Sequence, residues 1–165
     1  EKILNLLGEL LVLEPKDGKV WQIRGWILKA REDKSGAKLC FETALLYDRE
    51  NISILDDLMI ISMNLDLYDD ALSYTEKMLE IDPENTQALN SKAWIIMNKK
   101  GEENLKQARE IFEKIEKIDP NFALQYQNHT WVLGTLEEHE EMIKVAQRGL
   151  KYFPNDLILL HNLKH

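Results

Sequence analysis

An apolar helical pattern runs into a turn in the stretch MLEIDPEN, which occupies residues 78–85. The same arrangement stands at residues 44–51 as ALLYDREN, where Arg49 takes the place of Pro83. The prolines of the chain are Pro15, Pro83, Pro120 and Pro154, and their separations are 68, 37 and 34 residues. Since 68 is twice 34, the chain reads as an internal repeat with a period of about 34 residues.

Each period contains two amphipathic helical segments with turn residues between them. Apolar residues recur at i, i+3, i+4 and i+7, as in the series Ile3, Leu6, Leu7 and Leu10, which is typical of a helix with one buried face. Segments rich in Gly, Pro, Asn and Asp separate the helical patterns. The pattern predicts ten helices and no strand, with the helices at residues 2–14, 18–32, 35–48, 52–65, 68–81, 86–99, 103–118, 121–135, 139–152 and 156–164.

Small residues stand at equivalent places in several periods. Ala37, Ala71 and Ala108 each lie 12 residues before the turn position of their own period. Gly25 and Ala93 occupy a matching place on the preceding helices. Because small side chains allow helix axes to approach closely, we expect each such pair to bring the two helices of one hairpin together.

These residues together resemble the tetratricopeptide repeat. The resemblance rests on Trp21 and Gly25 followed by Ala37, Phe41 and Ala44, and the pattern recurs at residues 68–83 and 105–120. It implies an all-α fold, a right-handed α-α superhelix of about four complete helix hairpins plus a half-repeat at each end. In this register a single domain spans residues 1–165, with a half-repeat at 1–17, repeats at 18–51, 52–85, 86–122 and 123–156, and a truncated capping helix at 157–165.

The sequence departs from the repeat pattern at Met59, Thr130, Met142 and Gly149, where we expect local adjustments of hairpin spacing. The chain opens without Met, and its register leaves a half-repeat at either end, so we expect it to be part of a longer protein.

In each hairpin we call the earlier helix the first helix and the later one the second helix. The first helices are those predicted at 18–32, 52–65, 86–99, 121–135 and 156–164. The resemblance also implies which of their side chains line a concave binding groove. A peptide or protein partner would meet aromatic, amide and charged residues there. They are Lys19, Gln22, Trp26, Lys29, Asp56, Asp57, Ile60, Gln87, Asn90, Trp94, Asn98, Gln127, Asn128, Trp131 and Asn162, and Met97 falls on the same face.

Three of the four tryptophans, Trp26, Trp94 and Trp131, fall at one equivalent place. They have two interpretations. A row of exposed indoles would grip an extended peptide or a partner helix, since Trp is enriched at binding hot spots. Alternatively each Trp packs between neighbouring first helices, which the usual burial of large aromatic residues favours. Trp21 is predicted to lie in the core.

Charge restricts the classes of partner. Lys and Arg number 21 against 29 Asp and Glu, a formal net charge of −8, which disfavours nucleic acid because such binding requires basic residues. Asp56 and Asp57 suggest a partner with a basic group, and the alternative is a solvated helix face. The same two carboxylates would repel a partner's C-terminal carboxylate. No apolar run reaches the ~20 residues of a membrane helix, so no membrane partner is expected.

The sequence gives little support for catalysis, and we expect no enzyme, no cofactor and no metal site. Cys40, the only cysteine, excludes an internal disulfide, suits a cytoplasmic location and is predicted to be a small buried residue. His161 and His165 share a helix face without a third ligand nearby, and His129 has no orienting carboxylate close in sequence. There is no Gly-rich phosphate loop and no nucleophile elbow.

Two other functions compete with peptide binding. The last helix carries Ile158, Leu159, Leu160 and Leu163 and is apolar nearly all round, so missing sequence or another copy should cover it, which makes self-association through the terminal helices an alternative. The stretch WQIRGW at residues 21–26 also resembles the hairpins of protein prenyltransferase α subunits, which would imply an enzyme subunit. The regular period and the alanines favour the tetratricopeptide interpretation.

Overall fold

The computed structural model describes residues 2–99 and 101–163, which form ten α-helices and no strand. Every described helix bound lies within two residues of its prediction. The helices are α1 (Lys2–Leu13), α2 (Gly18–Ala30), α3 (Lys34–Tyr47), α4 (Ile52–Met63), α5 (Tyr68–Ile81), α6 (Thr86–Asn98), α7 (Glu102–Ile118), α8 (Ala123–Thr135), α9 (His139–Tyr152) and α10 (Leu157–Asn162). The last two residues predicted for the capping helix, 164 and 165, lie outside the described residues. Of the predicted His161–His165 pair, only His161 lies within them. The helices form two compact units, Glu1–Ile81 and Asp82–His165.

In the first unit α2 pairs with α3 and α4 pairs with α5. The core contains Phe41 of α3, which is fully buried together with Ala37 and Ala44 against the apolar face of α4. A Cβ atom on Gly25 would lie 2.5 Å from Cε1 of Phe41. The close approach of α2 and α3 therefore depends on the small residue that the repeat pattern predicts at this place.

In the second unit α6 pairs with α7, α8 pairs with α9, and α10 packs on both α8 and α9. Its last core cluster joins Tyr126, Leu133, Val145 and Leu159. Gly149 faces the Tyr126 side chain, where a Cβ would come within 2.8 Å of Cγ. The departures from the repeat pattern are thus absorbed inside the core, where Met59, Thr130 and Met142 are also buried.

A carboxylate or amide side chain caps the N-terminus of α2, α4, α6 and α10. The capping residues are Asp17, Asn51, Asn85 and Asp156, each of which accepts a hydrogen bond from a backbone N–H in the first turn. At the equivalent place before α8, Phe122 makes no such bond. A cap therefore recurs with the period and sets where most first helices begin.

Replacing Asn85 with Ala should lower the free energy of unfolding by about 1 kcal/mol, because the bond from the Ala88 N–H to Asn85 Oδ1 (2.9 Å) is lost. Urea denaturation followed by circular dichroism measures this change. The matched control is Asn85→Asp, which keeps an acceptor oxygen and should stay close to the parent. An equal loss in both variants would show that the side chain acts by something other than capping.

Candidate functional site

The three equivalent tryptophans of α2, α6 and α8 have exposed indole rings. Trp26 is 45% exposed, Trp94 is 38% exposed and Trp131 is 55% exposed. Trp21 instead packs against the core clusters of the first unit, and its Nε1 donates to the Pro15 carbonyl oxygen (2.9 Å). Of the two interpretations, packing between helices would bury these rings, whereas a binding surface requires them to be accessible.

In the second unit, Trp94 and Trp131 line one pocket together with Met97, Asn98 and Asn128. We call it the tryptophan pocket. Its volume is about 270 Å³, and the described residues that line it are all uncharged. Asn128 Nδ2 donates to Asn90 Oδ1 (3.1 Å), and Asn98 Nδ2 donates to the Trp94 carbonyl oxygen (2.8 Å). These bonds orient the two amides, so the pocket offers aromatic faces beside fixed polar groups.

In the first unit, the Asp57 carboxylate of α4 is held by side chains of α2. Trp26 Nε1 donates to Asp57 Oδ2 (2.6 Å), and Gln22 Nε2 donates to the same oxygen (3.2 Å). Lys29 Nζ lies 4.0 Å from Asp57 Oδ1. Asp57 is therefore a structural partner of α2 that fixes the Trp26 ring, which is a different role from the open acidic group that the sequence suggests.

The neighbouring carboxylate, Asp56, has one buried oxygen without a hydrogen-bond partner among the described residues. This oxygen is Oδ1, and the residue as a whole is half-buried. Burial raises the pKa of the Asp56 carboxyl, the neighbouring Asp57 carboxylate raises it further, and Lys29 lowers it. A cationic group of a partner brought close to this half-buried carboxylate would favour its charged form.

The remaining predicted residues fall into both units. Lys19 and Gln87 are exposed and Ile60 is half-buried. Gln127 Nε2 donates to Asp156 Oδ2 (2.7 Å), and Asn162 Nδ2 donates to Thr130 Oγ1 (2.9 Å). These last two amides tie neighbouring first helices to each other, which leaves them less capacity to bind a peptide backbone.

Solved structures resemble this chain over nearly its whole length. A crystal structure of YrrB, described as a tetratricopeptide repeat protein with an unusual peptide-binding site, superposes with a TM-score of 0.82 at 22% sequence identity, covering 100% of this chain and 84% of that one. The chain has the tetratricopeptide-repeat fold. A tetratricopeptide repeat protein from Parabacteroides merdae ATCC 43184 gives a TM-score of 0.83 at 19% identity, covering 97% of this chain and 62% of that one. MamA from Desulfovibrio magneticus RS-1 gives 0.79 at 17% identity, with 95% and 87% covered.

A second similarity covers only a short part of the sequence. The family model "Protein prenyltransferase alpha subunit repeat" matches residues 68–99, about a fifth of the chain, which in this tetratricopeptide-repeat fold are α5 and α6. The match lies away from the WQIRGW stretch at residues 21–26 that suggested that family. No curated protein matches the sequence significantly.

A cavity of about 740 Å³ lies between α3 and α5, the second helices of the first unit. None of the residues predicted for the binding groove lines it. Leu46 and Ile81, both exposed, line it together with Tyr74, whose hydroxyl donates to Glu42 Oε1 (3.1 Å). The available signal was the run ALLY at residues 44–47, which has more apolar residues than one buried helix face requires.

His129 is the second feature that the sequence did not reveal. Its side chain is 1% exposed, stacks on Phe112 with ring centroids 5.8 Å apart, and within the described ranges makes no hydrogen bond at either ring nitrogen. Burial lowers the pKa of His129 to about 4, and the nearby Arg148 and Arg109 add to this while Glu141 opposes it. The imidazole is therefore neutral at pH 7.

The groups that could carry chemistry are dispersed. Cys40 is buried, as predicted, and burial raises the pKa of its thiol, which makes it a poor nucleophile. In the part of the chain that the structure describes, no three His, Cys, Asp or Glu side chains are arranged to hold a metal ion. In the same part, no helix has the length and apolar character needed to span a bilayer.

Proposed function

We propose that the chain is a protein-interaction module that binds an extended peptide or a partner helix through its first helices, with the exposed tryptophans among the fifteen predicted residues as the main contacts. The observation that carries this proposal is the exposure of Trp26, Trp94 and Trp131 at one equivalent place of the repeat. Large aromatic rings held at a water-facing surface are the side chains most often responsible for binding energy. The proposed role is not catalytic.

Each of the two units offers its own chemistry to a partner. The tryptophan pocket, with its uncharged lining and volume of about 270 Å³, is suited to an apolar or aromatic side chain of the partner. The first unit carries the half-buried Asp56 carboxylate on α4, which is suited to a lysine or arginine of the partner. We therefore expect the second unit to prefer an apolar or aromatic residue and the first unit to prefer a basic one.

The binding surface is largely preformed. Hydrogen bonds within the chain fix the Trp26 ring and the amides of Asn98 and Asn128. A scaffold whose side chains are already oriented loses little conformational entropy when the ligand binds. The peptide-binding site named for YrrB shows that this fold can carry such a function, and it supports the proposal by analogy.

The double substitution Trp94→Ala/Trp131→Ala tests the proposal. A peptide selected on the parent chain from a displayed library should bind the variant at least about 30-fold more weakly, the equivalent of a hot-spot loss of about 2 kcal/mol. Isothermal titration calorimetry measures the affinity. Thermal unfolding should change little, because rings this exposed contribute less to stability than buried ones, whose truncation costs ~3–5 kcal/mol.

The matched control is Leu39→Ala/Leu46→Ala, which removes two exposed apolar side chains from α3. The control should keep the parent affinity. If the control loses binding and the tryptophan variant keeps it, recognition lies on the second helices and the proposal is wrong.

A further inference from the structure

The two indoles of the tryptophan pocket differ from the other two indoles of the chain in their hydrogen bonding. The Nε1 atoms of Trp21 and Trp26 both donate to groups within the first unit. The Nε1 atoms of Trp94 and Trp131 have no hydrogen-bond partner in the part of the chain that the structure describes. Because an indole N–H can only donate, each of these two groups is open to an acceptor of a ligand. Backbone carbonyl oxygens are acceptors of this kind.

The remaining lining of the pocket selects an uncharged ligand. Met97 contributes a thioether, and Asn98 and Asn128 contribute amides whose Nδ2 groups are bonded within the chain. The chain carries a formal net charge of −8, yet the described residues around this pocket are all uncharged. Such a lining does not compensate a charged side chain for the loss of its water. Electrostatic complementarity therefore favours a segment that is uncharged and rich in carbonyl acceptors.

The spacing of the two tryptophans selects a backbone conformation. Trp94 and Trp131 stand at one equivalent place of α6 and α8, which lie side by side, as the bond from Asn128 Nδ2 to Asn90 Oδ1 (3.1 Å) shows. The axes of packed helices are about 8–10 Å apart, so equivalent side chains recur at about that distance. A polyproline II helix repeats one face every ~9 Å. A β-strand repeats its face at about 7 Å and an α-helix at about 5.4 Å, so polyproline II gives the best match.

We propose that the tryptophan pocket binds a proline-rich segment of a partner protein in the polyproline II conformation. Prolines three residues apart lie on the rings of Trp94 and Trp131, and the two indole N–H groups donate to backbone carbonyl oxygens of the segment. Those oxygens are free because the polyproline II backbone makes no internal hydrogen bonds. The segment is already stiff and the pocket is preformed, so little conformational entropy is lost on binding. This inference rests on the proposed function and narrows the ligand to the extended class.

Acetylated nonaproline is the probe for this proposal, and a flexible Gly-Ser peptide of the same length is the matched control ligand. Binding is followed through the indole N–H signals in ¹⁵N-edited NMR up to millimolar peptide. Nonaproline should shift the Trp94 and Trp131 signals to saturation, and the Gly-Ser peptide should leave them in place. Trp94→Phe and Trp131→Phe each keep an aromatic ring and remove one N–H. Each should weaken nonaproline binding about fivefold, as expected for the loss of one hydrogen bond.

The control variant is Trp26→Phe, which should bind nonaproline like the parent because the N–H of Trp26 is already bonded to Asp57. Circular dichroism checks that all variants keep their helices. Nonaproline that leaves both pocket signals unmoved at millimolar concentration overturns the proposal, as do Trp94→Phe and Trp131→Phe variants with the parent affinity. If the library-selected peptide still depends on the two tryptophans in that case, only the assignment to proline is wrong. A selected peptide that binds without them contradicts the proposed function itself.

Discussion

Replacing Phe41 with Ala should lower the free energy of unfolding by about 3–5 kcal/mol. The ring is fully buried between α2, α3 and α4 and fills the space that Gly25 leaves open. Losing it removes buried apolar area and leaves a cavity that the surrounding helices cannot close completely. Chemical denaturation followed by circular dichroism measures the loss, and hydrogen exchange should locate it in α2, α3 and α4.

The same contact makes a reciprocal prediction for Gly25. Gly25→Ala should destabilise by about 1–3 kcal/mol, since the new methyl group overlaps the Phe41 ring. In a Phe41→Leu background the ring is absent, and Gly25→Ala should become neutral or stabilising because Ala favours the helix by about 1 kcal/mol over Gly. Additive effects in this double-mutant cycle would mean that Gly25 is required for a reason other than its contact with Phe41.

Acidification should destabilise the second unit through His129 by about 3 kcal/mol between pH 6.5 and pH 4. The His129 pKa falls from 6.5 in the unfolded chain to about 4 in the folded protein. The unfolded state therefore binds more protons in this range, and stability decreases as the pH falls. Each unit of difference in pKa corresponds to about 1.4 kcal/mol. Only well above pH 6.5, where the unfolded imidazole has also lost its proton, does this group contribute no pH dependence.

His129→Phe isolates this contribution, because Phe keeps the stacking on Phe112 and cannot take up a proton. Carboxylates titrate in the same range, so the quantity to compare is the difference between the two pH–stability curves from urea denaturation. The variant should lose less stability than the parent on acidification. Parallel curves would show that His129 keeps its ordinary pKa in the folded protein.

The helices could be predicted closely because the signals that end them are local. Proline and asparagine turns, apolar spacing and small residues all repeat in one register, and all ten described helices are present where that register places them. The prediction that Trp21 lies in the core follows from the same register, since Leu55, Leu89 and Tyr126 share its place. These features depend on residues within one repeat.

The site was less predictable because its contacts join different repeats. The Asp57 carboxylate meets Trp26 and Gln22 from the preceding first helix, and only the folded chain shows that this acidic group is already paired. The exposure of the tryptophans depends on how far apart neighbouring first helices stand, which side-chain type alone leaves open. His129 shares its place with Arg24, Leu58 and Lys92, so its burial could not be inferred from the repeat.

The most direct test of the proposed recognition surface is a titration with the selected peptide, observed through the indole N–H signals of the four tryptophans by ¹⁵N-edited NMR. The signals of Trp94 and Trp131 should shift in proportion to occupancy, that of Trp26 should shift if the basic residue reaches Asp56, and that of Trp21, bonded to Pro15, should stay in place. Unmoved Trp94 and Trp131 signals at saturation, with shifts confined to residues of the second helices, would contradict binding at the first-helix tryptophans.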